Sequence, residues 1–387
     1  MAMSFLELLE AQSNINTNID SNIEIDSDVV ETPQITESNS VNNVISGISK
    51  NYDERLDNSL IVSSRYGLTT IAPKDKGRKV SAKEFLATPE LDWQVSSSPV
   101  QYKFGAGLVA AEDHKVLHRS DSGEVLGVVG KDYKEVQNSE IIGFFENYAS
   151  KIGAELTKVG YADGGRKVFA HATLESEIQL PGQELGSKHV MLLDSRDGSG
   201  GFQAMPFFER VYCFNQLPAA NAKFGKISRR HTKNLDLRVL AKDLDIISQN
   251  FDDMTPKLQR MINTGMSRVE ALRFIYSLHK KQNDVREEGT RTLNIVKSIW
   301  DKLYAGKGIA LDTEGTKDTA YGVLNAITEH YNHDTTDNTN NLWKSRNIGA
   351  GATMMTQAYN CLDEIISGAK AMPESDVVYE YILERTA

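Results

Sequence analysis

The segment His189-Val-Met-Leu-Leu-Asp-Ser-Arg-Asp-Gly-Ser-Gly-Gly-Phe202 decides the fold that this sequence predicts. One apolar run ends at Leu193 and another begins at Phe202, and the eight residues between them are rich in Gly, Asp and Ser. Two apolar runs joined by residues that tolerate unusual backbone angles are typical of a β-hairpin. We therefore predict antiparallel strands over 189–193 and 202–213.

Two further pairs of extended segments repeat this pattern on the N-terminal side. They are residues 116–119 with 124–129, and residues 156–161 with 166–172. Between these pairs, Ile141, Ile142, Phe145 and Tyr148 recur at helical spacing, which predicts a helix that begins at Asn138 or Ser139 and stops at Gly153. Because hairpins place consecutive strands side by side, we predict an α+β fold: a hairpin-rich, mainly antiparallel sheet with this helix packed on one face.

Composition divides the chain into three parts. Residues 1–50 contain eight acids, one base and a single aromatic side chain. Such a segment buries too little apolar surface to offset its ordering entropy, so we predict a disordered acidic arm and linker over 1–78. We predict the sheet domain over 79–234. Beyond residue 234 apolar residues recur at helical spacing, which predicts a helical region over 235–387 packed on the sheet domain.

A concentrated cationic segment follows the last predicted hairpin, although the whole chain has a net charge of −10. Six of the sixteen residues from Lys223 to Arg238 are Lys or Arg, and one is an acid. A local patch of this kind can hold phosphates even on an acidic protein. A solvated loop explains the same charges, and this alternative stays open.

From this segment we predict a groove that binds nucleic acid. The candidate phosphate contacts are Arg210, Lys223, Lys226, Arg229, Arg230, His231 and Lys233, extended by Arg119, Lys134, Arg166 and Lys167 of the predicted hairpins. Tyr212, Phe214 and Phe224 are candidate faces on which bases stack. Because strand residues alternate between faces, Tyr212 and Phe214 can equally belong to the core. Arg210 can also be mainly structural, bridging the sheet to the helical region.

The acidic arm contains one apolar stretch that could dock on a partner. Phe5, Leu6, Leu8 and Leu9 would lie on one side of a short helix capped by Ser4. A helix of this length is marginal alone, so it would order only on a partner or on the rest of the chain. A frayed terminus with some leucines is the alternative.

Other classes of protein are disfavoured by what the sequence lacks. No run approaches 18 consecutive apolar residues, and the first residues include acids rather than bases, so we expect no membrane contact and a cytoplasmic location. The chain contains no G-x-x-x-x-G-K-[ST] motif. His330 and His333 are three residues apart, whereas H-E-x-x-H requires four. We assign no catalytic residue, metal ligand or cofactor, and an unrecognised enzyme stays open.

Several stretches, in the same order along the chain, resemble a known family. They are Leu91-Asp-Trp-Gln-Val95, Arg119-Ser-Asp-Ser-Gly-Glu-Val-Leu-Gly-Val-Val129, Tyr133-Lys-Glu-Val-Gln-Asn138, Ser195-Arg-Asp-Gly198, Arg210-Val-Tyr-Cys-Phe-Asn215, Arg230-His-Thr232 and Thr319-Ala-Tyr-Gly-Val-Leu-Asn-Ala-Ile-Thr-Glu329. The chain resembles domain-of-unknown-function family 932, also called phage/plasmid-like protein, over roughly 85–362. The resemblance implies a mobile-element origin and brings no catalytic residues.

Two functions follow from these features. The first is a nucleic-acid-binding protein of a phage or plasmid, which binds and anneals single-stranded DNA in recombination or replication. By analogy of fold with ring-forming annealing proteins, such a protein is expected to be a homo-oligomer. The alternative is a host-interaction or DNA-mimic protein that acts through the arm, whose excess of seven negative charges could imitate nucleic acid.

Overall fold

The computed structural model describes residues 60–75, 78–179, 185–210, 215–218, 227–231, 245–282, 285–309 and 316–374. The strands are β1 Leu60–Arg65, β2 Leu68–Pro73, β3 Val95–Phe104, β4 Gly107–Arg119, β5 Val125–Gly130, β6 Ala154–Ala162, β7 Lys167–Gln179, β8 Leu185–Ser195, β9 Phe202–Arg210, β10 Asn215–Pro218 and β11 Ile227–Arg229. The helices are α1 Ala82–Leu86, α2 Asn138–Lys151, α3 Asp245–Ile262, α4 Arg268–His279, α5 Thr290–Tyr304, α6 Ala320–Glu329, α7 Thr339–Ile348 and α8 Ala350–Ile366. Together they confirm the predicted α+β class with a helical C-terminal region.

An eight-stranded antiparallel sheet forms the centre of the fold, and we call it the main sheet. Its strands run in the order β1-β2-β6-β7-β8-β9-β10, with β11 also paired to β9. The predicted hairpins β6–β7 and β8–β9 and the predicted helix α2 are confirmed within it. The residue Gly153 that ends α2 adopts a φ of 68°, which favours glycine.

Strand alternation gives the main sheet two apolar faces. Phe202 of β9 packs against Phe145 of α2 with ring centroids 5.7 Å apart, so this face is covered by α2. On the opposite face, Phe169 of β7 lies 4.7 Å from Trp343 of α7. Met191 and Leu193 of β8 belong to the Trp343 cluster, whereas the alternate residues of β8 join the core that contains α2.

The first predicted hairpin does not belong to this sheet. It forms β4 and β5, and these strands build a separate three-stranded sheet with β3, which we call the small sheet. The prediction of one sheet was therefore wrong on this point, because turn signals identify which strands pair locally but not which hairpins join edge to edge. Residues 101–110, at the β3–β4 turn, are all exposed and form a two-stranded ribbon.

The folded region starts earlier than the sequence indicates. β1 and β2 lie inside the stretch predicted as arm and linker, and β2 pairs with β6. Their turn consists of Tyr66 and Gly67, both at positive φ (52° and 81°), as in a tight two-residue hairpin. Ser and Thr residues interrupt the apolar pattern of these strands, which is why composition did not reveal them. Residues 1–59, including the predicted docking residues, lie outside the described residues.

The helices α3 to α8 complete the core. One continuous cluster of buried apolar residues extends from Leu60 to Leu362 and includes the main sheet and helices α3 to α6 and α8, while Trp343 of α7 belongs to the separate cluster on the opposite face. A five-residue π-helical turn, His330–Asp334, continues α6. Within the described ranges, no helix has both the length and the apolar composition needed to cross a bilayer.

Candidate functional site

The loop that joins β8 to β9 carries a buried ionic network. Asp194 and Arg196 are 0% and 1% exposed, and Arg196 Nε donates a hydrogen bond to Asp194 Oδ2 at 2.9 Å. Arg196 Nη1 donates to Asn138 Oδ1 at 2.6 Å, and Asn138 Nδ2 in turn donates to the carbonyls of Leu91 and Trp93. A buried charge is tolerated only when it is paired and hydrogen-bonded. The loop is therefore fixed to the start of α2 and to residues 91–93.

His231 attaches the end of β11 to this network. Its Nε2 lies 2.7 Å from Asp194 Oδ1, and its ring stacks on Tyr133 with centroids 4.8 Å apart. The register explains the placement, because Arg229 pairs with Phe202 at the end of the same loop. We call Asp194, Arg196, His231, Tyr133 and Asn138 the anchor cluster. One part of the predicted cationic segment, Arg230-His231, is thus held against the main sheet.

The electrostatics of the anchor cluster follow from burial and pairing. Burial alone would raise the pKa of Asp194, but the contacts with His231 and Arg196 outweigh it and hold that pKa below its ordinary value. Burial, assisted by the negative charge of Asp194, raises the pKa of Tyr133. Asp194 is therefore ionised and Tyr133 keeps its proton, and the Tyr133 hydroxyl donates to the carbonyl of Ser195 at 3.3 Å.

Two further cations around the loop are also paired inside the protein. Arg119 is 8% exposed, bonds Asp121 through Nε and Nη2 (2.9 and 2.7 Å), and lies 4.5 Å from the centre of the Trp93 ring. Lys167 is 7% exposed and donates to Asp197 Oδ2 at 2.9 Å. Lys167 braces the β8–β9 loop with a charge-assisted hydrogen bond, whereas Arg119 joins the β4–β5 turn to the carbonyl of Gly164 between β6 and β7.

A glycine lets the small sheet approach the same loop. A Cβ at Gly127 of β5 would lie 2.7 Å from Asp197 Cα and 3.1 Å from the carbonyl oxygen of Arg196. Both are backbone atoms, so a side chain here would push the loop and the strand apart. Gly127, Arg119, Asn138 and Arg196 all belong to stretches that carry the family resemblance, and the structure brings these stretches together.

The predicted nucleic-acid contacts divide into four groups by their positions. Lys134, Arg166 and Arg230 are exposed, whereas Arg119, Lys167 and His231 are buried and have partners in the protein. Arg210 and Arg229 are described in their backbones only, at the ends of β9 and β11. Lys223, Lys226, Lys233, Tyr212, Phe214 and Phe224 lie outside the described residues. As contacts to nucleic acid, all of them stay predictions.

The ribbon of residues 101–110 presents aromatic side chains that the sequence reasoning missed. Tyr102 is 52% exposed and Phe104 is 74% exposed, and Lys103 lies between them. Tyr102 pairs with Val109 and Phe104 with Gly107, so both aromatic rings are on one face of the ribbon. The alternation Tyr-Lys-Phe is the only sequence signal, and it resembles that of an ordinary half-buried strand.

The base of the ribbon lies beside the anchor cluster. His114 pairs with Gly130 at the end of the small sheet, and the Tyr133 N–H donates to the carbonyl of Gly130 at 3.0 Å. Tyr133 then stacks on His231, whose neighbour Arg230 is exposed. Lys134, which follows Tyr133, is exposed at the same place. Lys134 and Arg230 therefore lie near the end of β5, where β3 and β4 continue beyond the third strand of the small sheet as the ribbon.

No metal centre is evident in the described part of the chain. In those residues, no group of three or more His, Cys, Asp and Glu side chains is arranged to hold a metal ion. Glu329 instead accepts hydrogen bonds from Lys302 Nζ and from the Ile309 N–H, both at 3.1 Å. Burial lowers the pKa of His330 to about 4, which keeps its ring neutral beside Ser298. These side chains stabilise the helical region.

Comparison with known proteins identifies the family. The profile described as Domain of unknown function (DUF932) matches residues 125–360, which is more than half of the chain. The chain therefore belongs to this family. The match includes the β8–β9 loop and every residue of the anchor cluster, while the ribbon lies before it. No curated protein and no solved structure gives a significant match.

Proposed function

We propose that the protein binds single-stranded nucleic acid, with DNA as the expected form, on the surface formed by the ribbon, Lys134 and Arg230. The observation that supports this most is the pair of exposed aromatic rings, Tyr102 and Phe104, on a ribbon whose base lies beside anchored cationic residues. Exposed aromatic and cationic side chains in one region are the combination that binds single strands.

The two components have distinct physical roles. Stacking of a base on an aromatic ring contributes about 1–3 kcal/mol and does not depend strongly on sequence. Cationic side chains contribute through phosphate neutralisation and counterion release, which makes affinity fall with salt. Lys103 supplies positive charge between the rings, Lys134 and Arg230 add it where the ribbon leaves the three-stranded part of the small sheet, and Arg166 is held near the start of β5 by its bond to the Val125 carbonyl.

In this proposal the anchor cluster positions the surface without touching the strand. His231 is buried against Asp194, so Arg230 is held at a fixed point of the main sheet instead of moving with a free loop. Fixing a contact residue in advance lowers the entropy cost of binding. Arg119 and Lys167 also stabilise the fold without contacting the strand, because their charges are already neutralised by Asp121 and Asp197.

The biological setting follows from the resemblance described above. A single-strand-binding member of a phage or plasmid family would act in recombination or replication of that element, where strands are bound and annealed. The alternative role of the acidic arm, toward a host protein, is a prediction about residues that the structure does not describe. Deletion of residues 1–50 separates two roles of the arm: tighter strand binding would mean that the arm competes with nucleic acid, and unchanged affinity would point to partner docking.

Titration of a labelled oligothymidylate strand at several salt concentrations tests the proposal. Arg230→Gln should lower affinity and reduce the slope of log affinity against log salt by about 0.7, because one phosphate contact is lost. Replacement of Tyr102 and Phe104 by Ser should lower affinity at least tenfold while leaving the slope unchanged, because stacking releases few ions.

Matched controls separate these effects from general damage. Arg291→Gln removes an exposed arginine from α5, and replacement of Val125 and Val128 by Thr removes exposed apolar surface from the small sheet outside the ribbon. Neither control should change affinity or slope. Absence of saturable binding by the unmodified protein at low salt, or equal losses in the controls, would contradict the proposal.

A further inference from the structure

A cleft lies on the face of the main sheet that α7 and α8 cover. Its volume is about 520 Å³, within the range of roughly 300–1,000 Å³ that is usual for small-molecule sites. The lining residues are Met191, Met205, Pro206, Phe207, Gln216, Arg346, Asn347, Ile348, Gly349, Ala352, Thr353, Thr356, Gln357, Asn360, Cys361 and Glu364. The floor is apolar and comes from β8 and β9, and the wall is mostly polar and comes from the two helices.

Arg346 is the arginine that lines the cleft. A row of side chains on the main sheet connects the floor of the cleft to another cation, Lys158. Lys158, His171, Met191 and Met205 are consecutive register partners across β6, β7, β8 and β9. Register partners point to the same face of a sheet, and adjacent strands lie about 4.8 Å apart, so the backbone of Lys158 is roughly 10 Å from that of Met191. The extended Lys158 side chain can reach toward the cleft along this face of the sheet.

Arg346, which lines the cleft, and Lys158, which lies outside its lining, have no carboxylate partner in the described part of the chain. Arg346 and Lys158 form no ion pair with a described residue, and Arg346 Nε is buried without a hydrogen-bond partner. Both side chains lie deep among protein atoms but keep some surface open to solvent. Burial lowers the pKa of Lys158 and of Arg346, since each charge is only partly compensated.

The neighbouring groups leave this positive charge in excess. Glu209 is the carboxylate that acts on both cations, and it accepts a hydrogen bond from Gln216 at 2.9 Å. Burial lowers the pKa of His171 well below 6.5, and Lys158 and Arg346 lower it further, so this histidine is neutral. Burial also lowers the pKa of His189. Glu364 is at the exposed rim, where water screens its charge. Two partly exposed cations therefore face one partly exposed carboxylate.

The rest of the cleft suits the other parts of an anionic ligand. α8 begins at the cleft, and no side chain caps its first turn, so its N-terminal N–H groups add to the attraction for an anion. Met191, Met205 and Phe207 offer an apolar surface for a flat ring, as methionine and aromatic side chains commonly do. The amides of Gln216, Asn347, Gln357 and Asn360 can bond to polar atoms at the edge of that ring.

We propose that the cleft binds a nucleoside monophosphate, with its phosphate on Arg346 and Lys158 at the start of α8 and its base on Met191, Met205 and Phe207. A phosphate attached to a nucleoside is present both in a free nucleotide and at the 5′-phosphorylated end of a strand. The proposal is independent of the ribbon surface, which lies on the small sheet. It assigns a second site with its own ligand.

Calorimetric titration of the full chain with adenosine and uridine 5′-monophosphates tests the proposal. At least one of them should bind saturably and at least tenfold more tightly than inorganic phosphate or the matching nucleoside, because both the phosphate and the base are recognised. Arg346→Met and Lys158→Met should each weaken this binding at least tenfold. Arg291→Met, which removes an exposed arginine on α5, should leave it unchanged.

Thermal unfolding distinguishes a ligand site from a structural role. Because the cations are poorly compensated in the free protein, Arg346→Met should melt at the same temperature as the unmodified protein or higher, and should lose the upward shift caused by the monophosphate. If this variant does not fold, Lys158→Met gives the same comparison. Competition by 5′-phosphorylated oligothymidylate, but not by the unphosphorylated strand, would identify a strand end as the source.

Three results would overturn the proposal. The first is the absence of saturable binding by either monophosphate. The second is equal affinity for inorganic phosphate and for the monophosphates, because the base would then contribute nothing. The third is unchanged monophosphate binding in both folded variants, since the two cations would then have no part in it.

Discussion

The surroundings of the β8–β9 loop and the cleft differ in how their positively charged side chains are compensated. Around the β8–β9 loop, Arg196, Arg119 and Lys167 each have a carboxylate oxygen within 2.9 Å. Arg346, which lines the cleft, and Lys158, in the row beside it, have no such partner among the described residues. A paired cation fixes two parts of the fold together, whereas a partly compensated one is costly in the free protein and is suited to an external anion. Pairing, and not local charge density, separates structural cations from candidate binding residues.

The largest effect is expected from breaking the pairing in the anchor cluster. Asp194→Asn leaves Arg196 as a buried cation without its carboxylate, so the free energy of unfolding should fall by about 3–5 kcal/mol, as measured by urea denaturation. Asp121→Asn is the matched control, because Asp121 pairs with Arg119 but is 43% exposed. That change should cost about 1 kcal/mol or less. Similar losses in the two variants would show that burial does not set the role of the pair.

A smaller loss is expected where the small sheet meets the anchor region. Gly127→Ala puts a methyl group 2.7 Å from Asp197 Cα, so the loop must shift, and we expect a loss of about 1–3 kcal/mol in the free energy of unfolding. Gly143→Ala on α2 is the control, because no atom lies within 4 Å of its added Cβ. It should be neutral or stabilising. An unaffected Gly127→Ala variant would mean that the loop is not rigidly held.

The stability of the fold should respond to mild acid through the buried His171 of β7, which lies in the row beside the cleft. The folded protein keeps His171 unprotonated below pH 6.5, while the unfolded chain takes up a proton there, so stability should fall as the pH decreases from 6.5. The buried Asp194 carboxylate stays ionised until the pH is below 3.8 and does not contribute to this fall. In His171→Gln the decrease in unfolding free energy between pH 7 and pH 5 should be smaller. The exposed His114→Gln variant should keep the original slope, and an unchanged slope in His171→Gln would contradict this expectation.

The sequence predicted the local structure better than it predicted the anchor cluster or the cleft. Turn residues and helical spacing located α2 and the hairpins β4–β5, β6–β7 and β8–β9, since these features depend on neighbouring residues. The separation of the two sheets depends on contacts between distant strands, such as Gly127 against Asp197, and no local pattern encodes it. The buried state of Arg119 and Lys167 was hidden for the same reason. The row from Lys158 to Met205 joins four strands and is visible only once their register is known.

The most direct test measures two ligands on the same protein preparations. Oligothymidylate without a terminal phosphate and the tighter-binding of the two monophosphates are each titrated against the unmodified protein, Arg230→Gln, and Arg346→Met. Because the anchored surface and the cleft are separate, Arg230→Gln should weaken only the strand and Arg346→Met should weaken only the monophosphate, each at least severalfold. If both substitutions weaken the same ligand, or neither weakens any, the division of the cations into two binding regions is wrong.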